Sequence, residues 1–152
     1  MRQRIFSLLL LFLLALTANA QSDLAIGRVL DGRYRKNPST SDITIQGERV
    51  KDFGLVLYHS LTVTDDEALM DEFLTAFLAD QGKVEAKDLS YVGEHLYYGF
   101  FQYKVTAKDL YNRYSFIKDM RYAPQGREPK LILIYMEGPA SLQTLKSKFG
   151  NR

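Results

Sequence analysis

The sequence predicts an α+β domain: an antiparallel sheet of about five to six strands with helices mainly on one face. Three observations predict it. Short apolar or alternating segments bounded by Gly, Pro, Asn or Asp recur through the second half of the chain. One stretch, Leu69 to Leu78, repeats at helical spacing. The strands are joined by short connections, which pair neighbours antiparallel because a parallel return needs a long crossover.

The elements follow in order. Met1-Arg2-Gln3-Arg4 is a basic start, Ile5 to Leu16 is an almost unbroken apolar run, and Ala18-Asn19-Ala20 is a small-x-small site. That layout predicts a signal peptide over 1–20, cut between Ala20 and Gln21, and a single domain over 21–152. A retained membrane anchor is the competing reading, but the run has 12 residues and a spanning helix needs about 20. Gln21 to Tyr34 reads as a short helix capped by Ser22 or Asp23, with Ile26, Val29 and Leu30 as its apolar stripe. Arg33 to Asp42 is a polar loop. Ile43–Ile45 and Gly54–Thr64 read as strands, the second with Leu55, Leu57, His59, Leu61 and Val63 on one face.

Thr64 and Glu67 match a capping box, in which hydroxyl and carboxylate satisfy each other's free amides. The helix that follows buries Leu69, Phe73, Ala76 and Phe77, and Gly82 suits a left-handed C-terminal residue. Leu89–Val92 and Leu96–Val105 flank the turn Gly93-Glu94, and Tyr111–Lys118 is a further strand. Leu131–Met136 is an apolar run fit for a central strand covered on both faces. Gly138-Pro139 opens a last helix, with Leu142, Leu145 and Phe149 on its stripe and Gly150 at its end.

The chain has 152 residues, 46% apolar and 25% charged, with no cysteine. This composition is that of one globular domain, not a disordered tail. Without Cys there is no disulfide framework, thiolate metal site, thiol nucleophile or N-terminal lipid anchor. Removal of Arg2 and Arg4 leaves 18 basic and 18 acidic residues. A neutral domain gives no electrostatic case for nucleic acid. The charge is nonetheless uneven: residues 21–82 carry 6 basic and 11 acidic groups, residues 83–152 carry 12 and 7. Solvated faces explain such blocks; self-association or a basic partner is the sharper alternative.

No sequence motif selects a reaction. His59 lies on the apolar side of its strand, where it is a packed core imidazole or a general base. Ser60 is adjacent and therefore points to the other face, so the two make no dyad. His95 sits by the hairpin turn, and two isolated histidines make a poor zinc set. Asp65, Asp66 and Glu67 lack the alternating ligands of a calcium loop and are explained by helix capping. No catalytic, metal or cofactor residues are assigned.

The unusual feature is the aromatic density of Leu96-Tyr97-Tyr98-Gly99-Phe100-Phe101-Gln102-Tyr103. Strand parity places Tyr97, Phe101 and Tyr103 on one side, Tyr98 and Phe100 on the other. With Leu96, Tyr98 and Phe100 assigned to the helices, Tyr97, Phe101 and Tyr103, joined by Tyr58 and Tyr135, form the candidate binding face. Gly99 would leave a gap on it. Cross-strand aromatic packing is the simpler explanation.

The Ala20-Gln21 junction, Leu96-Tyr97-Tyr98-Gly99-Phe100 and Leu133-Ile134-Tyr135-Met136-Glu137-Gly138 resemble a family of small exported proteins of unknown function from Bacteroides-type Gram-negative bacteria. The resemblance implies export and a shared small domain, and brings no catalytic residues. The expectation is an exported, non-enzymatic binding or structural module, periplasmic or secreted and not membrane-spanning, with an unknown protein or glycan as partner. A small periplasmic hydrolase is the alternative.

Overall fold

The protein is described by a computed structural model over residues 23–149. The strands are β1 (Thr40–Gln46), β2 (Leu57–Thr64), β3 (Val84–Val92), β4 (His95–Tyr103), β5 (Asn112–Asp119) and β6 (Lys130–Gly138). The helices are α1 (Glu48–Lys51), α2 (Glu67–Ala79) and α3 (Leu142–Phe149). Among the described residues the strands form one sheet in the order β1-β2-β6-β5-β4-β3, every neighbour antiparallel. The α+β class and the antiparallel sheet stand as the sequence predicts. β6 lies near the middle, and Leu131, Leu133, Tyr135 and Met136 are fully buried.

Two cores fill the two faces. On one, α2 and the N-terminal segment Leu24–Leu30 cover Leu61, Leu133, Ile117 and Phe101. On the other, the shorter α1 and α3 cover Tyr98, Phe100, Tyr114 and Met136 through Val50, Ala140 and Leu145. Phe73 and Phe77 fix α2 to its face, Phe77 stacking on Phe101 at 4.1 Å. A Cβ on Gly99 would come within 2.6 Å of the Phe77 ring, so glycine is what lets the helix sit this close. Gly138 is tighter still: its Cβ would meet the Gly54 carbonyl oxygen at 2.3 Å.

Several local expectations change. The N-terminal segment is a 3-10 turn, Ala25–Arg28, and no local side chain caps it. Its free amides at Ala25 and Ile26 donate instead to the buried Asp80 carboxylate at 2.7 and 3.0 Å. A short segment with a few large apolar residues is held here by packing and a distant cap, not by helix propensity. Ser22 and Gly150 lie outside the described residues. At α2 the cap is Asp66, which accepts from the Leu69 amide, while Asp65 before it takes φ +59°. The expected box of Thr64 with the Glu67 amide gives way to a cap two residues on, as the helix starts after the turn at Asp65. Gly82 falls in a 3-10 turn after the helix has ended and takes no left-handed conformation. Ser141 caps α3 through the Thr144 amide, one residue pair beyond Pro139.

Candidate functional site

The five residues expected on an open binding face do not form one. Phe101, Tyr103 and Tyr135 are buried under α2 and the N-terminal segment. Tyr97 is buried on the opposite face, where the Lys118 ammonium stands 5.5 Å over its ring. Tyr58 is half-buried on that same face and stacks on Phe149 of α3. Two causes overturn the parity argument. Ser90 pairs with Tyr98 while Tyr91 pairs with Leu96, so Tyr97 is the extra residue of a bulge and joins the Tyr98 side. The long helix lies on the Gly99 side, where Phe77 packs over the glycine, so the gap at Gly99 is filled from within.

What gathers on the α2 face instead is a buried polar band at the end of the sheet where β4 gives way to β5. The register sets His59, Tyr135, Ser115 and Phe101 in one row across β2, β6, β5 and β4, and Leu57, Glu137 and Arg113 in the next. The Tyr103 hydroxyl bonds Ser115 Oγ at 2.7 Å, and the Tyr135 hydroxyl donates to Glu137 Oε1 at 2.8 Å. Arg113, 5% exposed, donates from Nη1 to Asp23 Oδ1 at 2.8 Å and pairs through Nε with Asp109 Oδ1 at 3.1 Å. Its guanidinium therefore joins the N-terminal segment to the β4–β5 loop.

The electrostatics follow from burial. Desolvation pushes the Tyr103 and Tyr135 hydroxyls well above the ordinary tyrosine range. Desolvation also raises Glu137, opposed by its bond from Tyr135 and the charge of Arg113. Burial disfavours the Arg113 charge, but its bond to Asp23 and the surrounding charges of Asp23 and Asp109, with Tyr135, together outweigh this and hold the group above its usual value. These polar groups are paired with one another, which is the arrangement that makes a buried network rigid.

Across β2 from this band, His59 Nε2 bonds Asp42 Oδ1 at 2.8 Å, both side chains buried, with Arg35 Nε 3.5 Å from the other Asp42 oxygen. Ser60 points away, as strand alternation requires. His95 is exposed and stacks on Tyr122 at 4.1 Å. Asp66 and Glu67 are accounted for by the start of α2. Among the described residues no group of three or more His, Asp or Glu stands close enough to hold a metal ion.

Sequence reasoning missed Arg113 and Glu137, because a lone charge in an apolar strand shows its partners only after folding. It also missed the β4–β5 loop. There Thr106 and Asp109 close a turn: the Thr106 amide and hydroxyl both donate to Asp109 Oδ2, at 2.7 and 2.8 Å. Leu110 follows, 83% exposed, with Val105 and Tyr111 also exposed. The available signal was that Leu110 fits neither strand's alternation.

Fold and site define an open antiparallel α+β protein whose distinguishing internal feature is an arginine clasp between the N-terminal segment and the β4–β5 loop. The chain belongs to a family of unknown function, DUF6108, whose model matches residues 13–149. No curated protein and no solved structure matches it. Among the described residues no helix is long and apolar enough to cross a membrane.

Proposed function

We propose that this is an exported, non-enzymatic binding or structural module of the cell envelope, periplasmic or secreted after cleavage at Ala20/Gln21. One observation carries the reading. Leu24, four residues past the cut, is already core, and Asp23 is already fixed to Arg113. A core that begins so soon after a small-x-small site supports a removable leader before it. The mutual pairing of the buried polar groups supports a structural role for them, since a catalytic set directs its polar atoms at a substrate. A protein or glycan is the partner class. Export from a Gram-negative host followed by intact mass measurement tests the reading. The expected mass is that of residues 21–152, and retention of residues 1–20 on the exported protein refutes it.

The His59–Asp42 pair favours a second reading, a small periplasmic hydrolase with His59 as base. Ester, amide and glycoside substrates should then show turnover that His59→Gln abolishes at unchanged stability. Absence of turnover in the wild type removes this alternative.

A further inference from the structure

The β4–β5 loop is the most exposed apolar feature among the described residues. Leu110 is 83% exposed, Val105 54% and Tyr111 40%. The loop is not slack chain: Asp109 holds the Thr106 turn with one oxygen and the Arg113 guanidinium with the other. Exposure of these side chains is therefore built in, and an apolar tip on a fixed turn invites a partner.

Two further observations name that partner's chemistry. First, the exposed charges of the loop are cationic. Lys104 and Lys108 are exposed, and among the described residues neither forms an ion pair. Asp109 and Asp23 are matched to Arg113 and Asp80 to Lys83, while Glu85 accepts from Gln102. Second, aliphatic, tyrosine and lysine side chains together are the set that lodges at a bilayer interface, the ring at headgroup level and the ammonium over anionic lipid.

We propose that the 104–111 loop is a membrane-contacting tip, which sets Leu110 and Tyr111 into the interfacial layer of an anionic lipid surface with Lys104 and Lys108 over the headgroups. The proposal concerns the surface of the folded domain and does not depend on cleavage at Ala20.

The chain has no tryptophan, so Tyr111→Trp places a single emitter at the tip of the full chain, whether or not the leader remains. It is mixed with vesicles of phosphatidylglycerol and phosphatidylcholine, or of phosphatidylcholine alone, carrying brominated acyl chains. The emission should shift to the blue and be quenched by the anionic vesicles. Lys104→Gln with Lys108→Gln should raise the lipid needed for half-maximal quenching about thirtyfold, about fivefold for each lysine. Leu110→Asp should raise it at least about tenfold. Tyr91→Trp, at the far end of β3, should not be quenched. Unquenched emission from Tyr111→Trp, equal quenching by neutral and anionic vesicles, or stronger quenching from Tyr91→Trp each overturns the proposal. So does capture of a protein through Leu110 without quenching by lipid. Failure of export is read separately, from the intact mass.

Discussion

Glu137 shows how a single side chain acquires its properties from neighbours far away in sequence. It sits on β6 opposite Arg113, accepts from Tyr135 and is 7% exposed. Burial raises its affinity for a proton in the folded state. An unfolded Glu titrates near about 4.3, so the folded protein binds the proton more tightly than the unfolded one. The resulting stabilisation is fully present below the unfolded value and is lost as pH rises through the raised folded value. Urea midpoints of wild type and Glu137→Gln across pH 4 to 8 should therefore diverge, the wild type losing ground to the variant with rising pH. Parallel profiles would mean that Arg113 and Tyr135 fully offset the burial. Tyr97 is set in place differently: its hydroxyl is buried and finds no hydrogen-bond partner in the structure. Its place is set by ring packing and by Lys118 above it, not by its oxygen.

At the scale of elements, α2 is the member on which the larger core depends. Its stripe of Leu69, Met70, Phe73 and Phe77 is buried throughout, and Tyr34 packs on Phe73 at 5.2 Å. Phe77 is fully buried against Phe101 and over Gly99. Phe77→Ala removes a ring from a site that the rigid sheet cannot close. The expected cost is about 3–5 kcal/mol, against a total stability of about 5–15 kcal/mol for a domain of this kind. Chemical denaturation should show a sharply lowered midpoint. A loss below about 1 kcal/mol would place α2 at the periphery. β3 and β1 are the sheet edges, and each leaves one large apolar side chain exposed, Tyr91 and Ile43. Single exposed residues of that kind are ordinary at a surface.

For the whole molecule, the uneven charge of the chain is used within it. Asp23 in the acidic half meets Arg113 in the basic half, and Asp71 on α2 meets Arg121 after β5. Arg113 is the consequential member because its side chain is buried, as is that of its partner Asp109, and because it ties three parts together: the N-terminal segment, the β4–β5 loop and the central sheet. Arg113→Ala leaves Asp109, 8% exposed at its side chain, without its partner. Breaking a buried pair in this way costs about 3–5 kcal/mol. Hydrogen exchange should quicken together in residues 23–30 and 104–111, while α2 amides keep their protection. Arg113→Lys should not restore it, because one ammonium cannot span the two carboxylates that Nε and Nη1 reach. Unchanged exchange in both segments would show that Asp80 alone holds the N-terminal turn.

The sequence by itself determined the elements whose signals are local. Alternation marked β2, the helical period marked α2, the apolar run marked β6 as central, and Gly93 marked the hairpin, where it takes φ +61°. Each of these rests on chemistry within a few residues, which a sequence carries in full. Which face of β4 meets the helix was not local. It depended on a bulge at Tyr97, visible only against β3, and on Phe77 finding the space above Gly99. The candidate site was equally non-local: Asp23 and Arg113 are 90 residues apart, Ala25 and Asp80 are 55 apart. The residues Tyr58, Tyr97, Phe101, Tyr103 and Tyr135 were legible as a cluster of aromatics, but not as core. Burial is a property of what covers a side chain, and only the tertiary structure brings the cover.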